Sequence, residues 1–267
     1  MTTTDRGQVN LSAAEIYEAF FLPALFQEWT GRVADAARIQ PGQRVLDVAC
    51  GTGVLARTVS ERVGPGGHVV GLDVNQGMLG VAGRKSPHIT WREGAAEAMP
   101  FDDASFDAVV SQFGLMFFED RAAAIREMAR VLRPGGRLAV AVWDTLDNTP
   151  GYRAMVDLLA RLFGESVADG LRGPYVLGDT DTFSHLFDNI GLKDATINTL
   201  PGTARFPSIE QWVYTDIKGW VLADVLDDTQ VATLIREAER ELARFVTDDG
   251  TVAFAAPAHI VTAVKRA

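Results

Sequence analysis

Four residues in the first third of the chain have the types and spacing of a ligand site. Asp47 lies in the apolar run Val45-Leu46-Asp47-Val48, the turn Gly51-Thr52-Gly53 follows it, and a second acid, Asp73, ends the next apolar run. A glycine turn between a strand and a helix lets backbone amides approach a ligand closely, and the helix N-terminus behind it attracts negative charge. An acid at the end of the following strand suits the two hydroxyls of a ribose. Together these groups point to a ligand built on adenosine, and two kinds fit. Gly51-Thr52-Gly53-Val54-Leu55-Ala56 matches the G-x-G-x-x-A pattern that cradles a pyrophosphate. Asp47 argues for the other kind, because a carboxylate just ahead of the turn repels a pyrophosphate and suits a cationic ammonium or sulfonium.

These groups need elements to hold them. Hydrophobic period predicts a buried strand over 44–48, a helix over 54–63 and a second strand over 68–74 after the turn Gly64-Pro65-Gly66-Gly67. Asn75 is placed to cap a helix through Lys85, and Ser86-Pro87 breaks it before a third strand over 88–92. A fourth strand is expected over 106–111. A helix over 121–132 should end at Arg133-Pro134-Gly135-Gly136 and lead into a fifth strand over 137–143. The alternation implies a parallel sheet with helices on both faces, an α/β, doubly wound fold.

The second half loses that rhythm. Residues 150–173 and 182–189 read as helical, the latter ending near Gly191, and 193–205 reads as a strand. Residues 229–246 carry a helical face, and 251–264 reads as a terminal strand antiparallel to 193–205. The segment 207–246 thus interrupts a hairpin. The expected organisation is a main domain of residues 9–206 and 247–267 with a helical lid inserted at 207–246, and residues 1–8 are expected to be loose.

Composition narrows the chemistry. A chain of 267 residues that is 47% hydrophobic can fill one large α/β core. No leader pattern or membrane-length apolar run is visible, which predicts a cytoplasmic protein with no integral membrane association. One cysteine, Cys50, excludes an internal disulfide, and the four histidines lie too far apart for a local metal pair, so no metal is expected. A net charge of -10 repels nucleic-acid backbones and favours a small neutral or cationic partner. Nothing in the sequence sets the oligomeric state.

Further segments keep the order and spacing of a family. Asp47-x-Ala49-x-Gly51-x-Gly53, Gly71-Leu72-Asp73, Met99-Pro100-Phe101, Phe106-Asp107 and Arg130-Val131-Leu132-Arg133-Pro134-Gly135-Gly136 follow one another along the chain. Over residues 17–143 this resembles the class I S-adenosylmethionine-dependent methyltransferases, similar to the small-molecule enzymes around the ubiquinone/menaquinone C-methyltransferases. The resemblance implies a Rossmann-like seven-stranded sheet with its last strand antiparallel, S-adenosylmethionine as cofactor, and methyl transfer to a small-molecule acceptor by in-line displacement.

Carried over residue by residue, the resemblance places Ala49, Gly51, Thr52 and Gly53 under the methionine end of the cofactor, beside Asp47. It places Asp73 on the ribose hydroxyls, and Val74 and Met78 on the adenine. The acid that often holds the adenine amino group is absent at Ala95, leaving backbone groups of Ala95 and Ala96 or a displaced Glu97 for that task. Ser111, Gln112 and Phe113 face the methionine portion and the acceptor, and Tyr17 on the N-terminal helix closes over it. In the lid, Trp212 and Tyr214 are expected to line the acceptor pocket, amid Val213, Ile217 and Trp220.

Other polar residues read as structural. Cys50 reads as a small filler, His185 as a helix-face residue and Asp102-Asp103 as a turn pair, while Asp144 and Asp147 stand at the sheet edge that a substrate would use. The Asn/Asp-Pro-Pro-Tyr tetrapeptide of many nucleic-acid amino methyltransferases is replaced by Ser111-Gln112-Phe113-Gly114, in keeping with a small acceptor. Two alternatives share much of the pattern: a non-methylating cyclase or binding protein on the same fold, and an NAD-dependent oxidoreductase. The oxidoreductase gives no role to Asp47.

Overall fold

The computed structural model describes residues 11–266 apart from 189, 191, 220, 221, 223 and 224. Residues 1–8, Gly191 and Trp220, named above, lie outside the described residues. A continuous helical run opens the chain: α1 (Leu11–Ile16), a π-helix (Tyr17–Phe26) and α2 (Gln27–Ala36). The alternating half follows as β1 (Arg44–Val48), α3 (Val54–Val63), β2 (His68–Asp73), α4 (Gln76–Lys85), β3 (Thr90–Glu93), β4 (Phe106–Gln112), α5 (Arg121–Val131) and β5 (Leu132–Trp143). Beyond it stand α6 (Pro150–Phe163), α7 (Glu165–Arg172), α8 (Thr180–His185), β6 (Leu192–Leu200), β7 (Thr203–Phe206), α9 (Ile209–Lys218), α10 (Asp228–Glu241), β8 (Val252–Ala255) and β9 (Ala258–Lys265).

Seven strands form the main sheet in the order β3-β2-β1-β4-β5-β9-β6. All pair in parallel except β9, which is antiparallel to both β5 and β6. Val45, Leu46 and Val48 of β1, and Val109 and Val110 of β4, are fully enclosed, as expected for strands covered on both faces. This is the doubly wound fold expected from the sequence, its last strand antiparallel. Local chemistry sets the element ends. Asn75 Oδ1 accepts from the Met78 amide at 2.9 Å and Asp120 Oδ1 from the Ala123 amide at 2.8 Å, each satisfying an orphan donor of a first helical turn. Asp227 and Gln230 close a capping box on α10.

Four expectations need correction. The stretch 150–173 is two helices, because Gly164 adopts φ 92° between them. The run 193–205 is two strands broken at Pro201-Gly202, where an added Cβ on Gly202 would lie 2.3 Å from the Trp29 ring and 2.4 Å from the Ala256 carbonyl. Past that corner β7 leaves the main sheet and pairs with β8, whose own separation from β9 falls at Pro257. Arg133-Pro134-Gly135-Gly136 is no turn before a strand. It is a bulge within β5, where the pairing jumps from Phe106↔Leu132 to Ala108↔Arg137 with Gly135 at φ 78°. The third strand begins at Thr90, two residues later than expected.

Among the described residues, no helix is long and apolar enough to cross a membrane. Packing is close below β2. A Cβ on Gly71 would stand 2.4 Å from the Trp91 ring and 2.9 Å from Cys50 Sγ, so Trp91 seats against bare backbone. Gly71→Ala is expected to destabilise the protein by about 1–3 kcal/mol, the scale of an overpacked core. Adding Trp91→Leu should return part of that loss, since the clash then has no ring to meet. Urea unfolding of the two single variants and the double variant measures it; strictly additive losses would disprove the contact.

Candidate active site

The carboxyl ends of the parallel strands bring the expected groups together. β1 delivers Asp47, the turn after it Ala49 to Gly53, β2 Asp73, and β4 Ser111 and Gln112. Tyr17 descends onto them from the start of the π-helix. Tyr17, Asp47, Ala49, Cys50, Gly51, Thr52, Val54, Leu55 and Gln112 enclose a cavity of about 20 Å³, room for about one water. The site therefore stands closed, with the phenol of Tyr17 as its cover. A wider surface hollow of about 410 Å³ beside Arg57, Ser60 and His88 lies on the flank of α3, away from the strand ends.

Asp47 is 1% exposed, and neither of its carboxylate oxygens has a hydrogen-bond partner. Burial pushes its carboxyl well above the usual carboxylate range. The Ala56 amide in the first turn of α3 opposes that shift, Asp73 adds to it and Arg57 opposes it. Thr52 Oγ1, Ser111 Oγ and Gln112 Oε1 are also buried without partners. A buried acid with two bare oxygens amid bare acceptors fits a cationic donor of several hydrogen bonds, the chemistry of an amino-acid ammonium beside a sulfonium. The structure brings Asp47, the turn residues and Gln112 around one cavity lined by unpaired acceptor oxygens.

Asp73 is held differently. Its Oδ2 accepts from the Gly51 amide and its Oδ1 from the Asn75 amide, both at 2.8 Å, so it ties the glycine turn to the start of α4. Burial raises its carboxyl above the ordinary value, and the amides of Asn75, Gly51 and Val74 pull it back. Each oxygen keeps further lone-pair capacity, which could accept from a hydroxyl donor such as those of a ribose. The two turn glycines divide their work. A Cβ on Gly51 would meet open space, whereas one on Gly53 would strike Trp91 at 2.3 Å. Ala49 takes the left-handed conformation at φ 56°, strain that clusters at functional turns.

The N-terminal run is clamped over the site by groups that the sequence reading missed. Glu18 Oε1 pairs with Arg57 at 3.0 Å and with Lys85 at 2.9 Å, while Arg57 also donates to the Thr52 carbonyl at 2.7 Å. Gln112 Nε2 donates to the Phe26 carbonyl at 3.1 Å, fixing the other end of the π-helix. Glu18 and Arg57 stand 39 positions apart, so no local pattern announces the pair. Burial, with Asp73, Glu18 and Asp47 nearby, pushes the Tyr17 hydroxyl well above its ordinary value and keeps it a neutral donor.

The adenine side is shallower. Val74 is 47% exposed, and Met78 packs with Ala14, Val81 and Tyr17. Ala95 is half-buried and Ala96 buried. Glu97 is committed elsewhere, its Oε1 accepting from the Glu119 amide at 3.1 Å. Phe113 follows β4 at φ 56° and stacks on Trp143 at 3.8 Å within a cluster that includes Phe26 and Trp29. The structure does not bring Trp212 and Tyr214 into one pocket. Trp212 is fully buried among Phe206, Phe254 and Tyr152, while Tyr214 is 40% exposed and meets the edge of Phe20.

Asp144, expected at a substrate edge, is satisfied internally. It accepts from the Thr145 amide and Asn148 Nδ2 at 2.6 and 3.0 Å, and His259 Nε2, which donates to the Gly178 carbonyl at 2.8 Å, lies 3.3 Å from it. Asp147 is an exposed partner of Arg153, and His185 is exposed beside Asp188. The outlying motifs serve the scaffold. Arg130 grips both Glu127 oxygens, Asp103 and the carbonyls of Met99 and Phe101. Arg133 pairs with Asp107, whose other oxygen caps the start of β1 at Arg44.

A seven-stranded sheet with β9 set antiparallel between β5 and β6, and a bare buried acid ahead of a glycine turn, define a class I S-adenosylmethionine-dependent methyltransferase. The comparisons with known proteins agree. The methyltransferase-domain family matches residues 46–140. A demethylmenaquinone methyltransferase of Renibacterium salmoninarum is 48% identical over 186 residues, 66% of this chain and 77% of that protein. A ubiquinone/menaquinone biosynthesis C-methyltransferase of Proteus mirabilis is 31% identical over 203 residues, 73% of this chain and 77% of that one. The chain belongs to this family of S-adenosylmethionine-dependent methyltransferases. In fold it also resembles phosphoethanolamine N-methyltransferase 2 of Haemonchus contortus, solved with phosphomonomethylethanolamine and S-adenosylhomocysteine, at a TM-score of 0.61 and 20% identity over 95% of this chain and 57% of that one.

Two outcomes follow for the cofactor. Asp73→Ala should weaken S-adenosylmethionine ten- to hundredfold, about 1.5–3 kcal/mol, with two ribose hydroxyls left poorly paired; unchanged binding in titration calorimetry would misplace the ribose. Asp47 carries the pH dependence. Its folded value lies above its unfolded one, so ionising it costs stability as pH rises, and a bound cation reverses that by favouring the charged form. Affinity should therefore climb with pH and level off above the folded value, with a proton released on binding. Asp47→Asn should raise the unfolding midpoint of the ligand-free protein at pH 8 and weaken the cofactor at least tenfold. Calorimetry in buffers of different ionisation enthalpy reads the proton, and affinity independent of pH would refute the assignment.

Proposed function

We propose that this methyltransferase acts on a small, apolar, hydroxylated aromatic acceptor and aligns it in line with the methyl group, as the quinone-directed names of its relatives suggest. The observation that carries the cofactor half is the buried, partnerless carboxylate of Asp47 beside the glycine turn. S-adenosylmethionine, when bound, supplies a methyl group on a sulfonium that a nucleophile can displace. The protein's contribution is placement and dryness. Asp47, Thr52 and Gln112 hold the methionine end, Asp73 the ribose, and Val74, Met78, Ala95 and Ala96 border the adenine. Tyr17 and the clamped N-terminal run keep water out.

The aromatic cluster of Phe26, Phe113 and Trp143 beside Gln112 supplies flat apolar surface for a ring, with Trp143 ending β5 and Phe113 directly following β4. Residues 207–246 serve as a lid on this side. α9 reaches the N-terminal run through Tyr214 against Phe20, and an added Cβ on Gly219 would meet Ile16 and Phe21 at 2.9 and 3.1 Å. Trp212 acts inside the lid as its packing centre.

Incubation with methyl-labelled S-adenosylmethionine and a short-chain demethylmenaquinol should give a product one methylene heavier, carrying the label on the ring. Chelator should leave the rate unchanged, since among the described residues no three His, Cys, Asp or Glu side chains converge. Label found on oxygen, or no product, would reject the ring carbon as acceptor; loss of activity with chelator that added metal restores would reject the alignment-only chemistry.

A further inference from the structure

The cover of the cofactor site is shut too tightly for a ligand of that size to pass. The cavity beneath Tyr17 has a volume of about 20 Å³, whereas a molecule as large as S-adenosylmethionine needs about 300 Å³ or more. Ala14 and Tyr17 pack on Met78 and Val81, the side proposed for the adenine, so α1 lies across the entry. Its hold on α4 is slight. That apolar cluster is small and stands apart from the main core, and the other links to α4 are ionic. Glu18 Oε1 meets Lys85 of α4 at 2.9 Å and Arg57 of α3 at 3.0 Å, and Glu15 meets Arg84 at 2.9 Å between two exposed side chains. The second Glu18 oxygen is buried without a hydrogen bond. A carboxylate enclosed with one oxygen bare gains less from its ion pairs than a fully satisfied one, which leaves the closed arrangement poised to release.

The following turns of the same run are held differently, and the contrast places a hinge. Phe21, Leu22, Leu25 and Phe26 are buried in the main core, and Gln112 fixes the Phe26 carbonyl, while Phe20 is 37% exposed. The helix over Tyr17–Phe26 is of the wide π type and contains Pro23, which has no amide to give the carbonyl one turn back. Such helices are rare and gather at functional sites. We propose that residues 11–20 form a gate for S-adenosylmethionine that swings about the π-helix, with Glu18 as its latch on Arg57 and Lys85. On opening, the Glu18 carboxylate reaches solvent, and Arg57, which also donates to the Thr52 carbonyl at 2.7 Å, is released beside the glycine turn. Once the cofactor lies on Asp47 and Asp73, the same ion pairs re-form and retain it.

The inference rests on the cofactor placement proposed above, and two kinds of measurement separate the two readings. With S-adenosylhomocysteine as the probe, the observed binding rate in stopped flow should stop rising at high ligand concentration, because opening then limits entry. Glu18→Gln should raise that plateau and the dissociation rate together, each about tenfold, the scale of a lost hydrogen-bonded charge, and leave Kd within about threefold. Lys85→Gln, at a half-exposed site, should raise both rates by about threefold. Going from about 0.05 to about 0.5 M sodium chloride should speed binding to the wild type and not to Glu18→Gln. Hydrogen exchange on the protein alone reads the gate with no ligand involved: the amides of residues 15–20 should exchange about tenfold faster in Glu18→Gln, while those of β1 and β4 keep the wild-type rate. A binding rate that climbs linearly with concentration, a plateau unchanged in Glu18→Gln, or exchange that quickens in β1 as much as in residues 15–20 overturns the gate. Faster exchange confined to residues 15–20 and a raised plateau, in a protein whose Asp47→Asn form binds the probe unimpaired, keep the gate and reject Asp47 as the cofactor's partner.

Discussion

A carboxylate enclosed at the end of a central strand, with neither oxygen paired, is the constraint around which the cofactor side is built. Burying Asp47 is unfavourable for the folded protein by itself, and the surroundings oppose that cost only in part, through the Ala56 amide and Arg57. The turn that follows must pass close to it, which forces Ala49, Gly51 and Gly53 to positive φ and brings Asp73 in to hold the Gly51 amide. The same enclosure keeps Tyr17 neutral above the site. Stability is given up at this point to keep two acceptor oxygens unpaired beside the glycine turn, a trade found where a site is built at the expense of the fold.

Rigidity returns from below and behind. Trp91 presses its ring against the bare backbones of Gly53 and Gly71, so the turn rests on a fixed floor. Arg130, held by Glu127, Asp103 and two carbonyls, locks the Met99 to Phe101 segment to α5, and Arg133 with Asp107 locks the bulge in β5 to the start of β1. Glu127 is held below the usual carboxylate range by its bonds with Arg130, the mark of a well-formed ion pair. The Met99-Pro100-Phe101, Phe106-Asp107 and Arg130 to Gly136 motifs therefore serve the scaffold, fixing the strand ends around the glycine turn.

The cover has its own logic. Glu18, Arg57 and Lys85 join the N-terminal run to α3 and α4, and Gln112 joins it to β4, so the π-helix is tied down at both of its ends. The larger aromatic side chains form two groups. One, around Phe113 and Trp143, belongs to the sheet rim; the other, around Trp212 and Phe254, holds the lid together. Both are assembled from residues distant in the chain, and the corner at Pro201-Gly202, cut to fit Trp29, is what lets β7 carry the lid away from the main sheet.

The amino-acid sequence by itself determined the alternating sheet, the acid in the first strand, the glycine turn, the acid that ends the second strand and the family. Each is written in a short window where period, a cap or a turn residue acts locally, as Asn75 does for α4 and Asp47 for the turn. It also gave a hairpin interrupted by helices, but not the break at Gly202 or the bulge at Gly135, because both answer to partners far along the chain, Trp29 and Phe106. Only the tertiary structure decided that Glu18 and Arg57 clamp the cover, that Glu97 is spent on the Glu119 amide, and that Trp212 is enclosed while Tyr214 is not. Asp216 and Tyr152 lie 64 positions apart and carry no local signature. Contact between them exists only once α6 and α9 have packed, since burial and pairing are properties of the assembled layers and a one-dimensional pattern holds no record of which faces will meet.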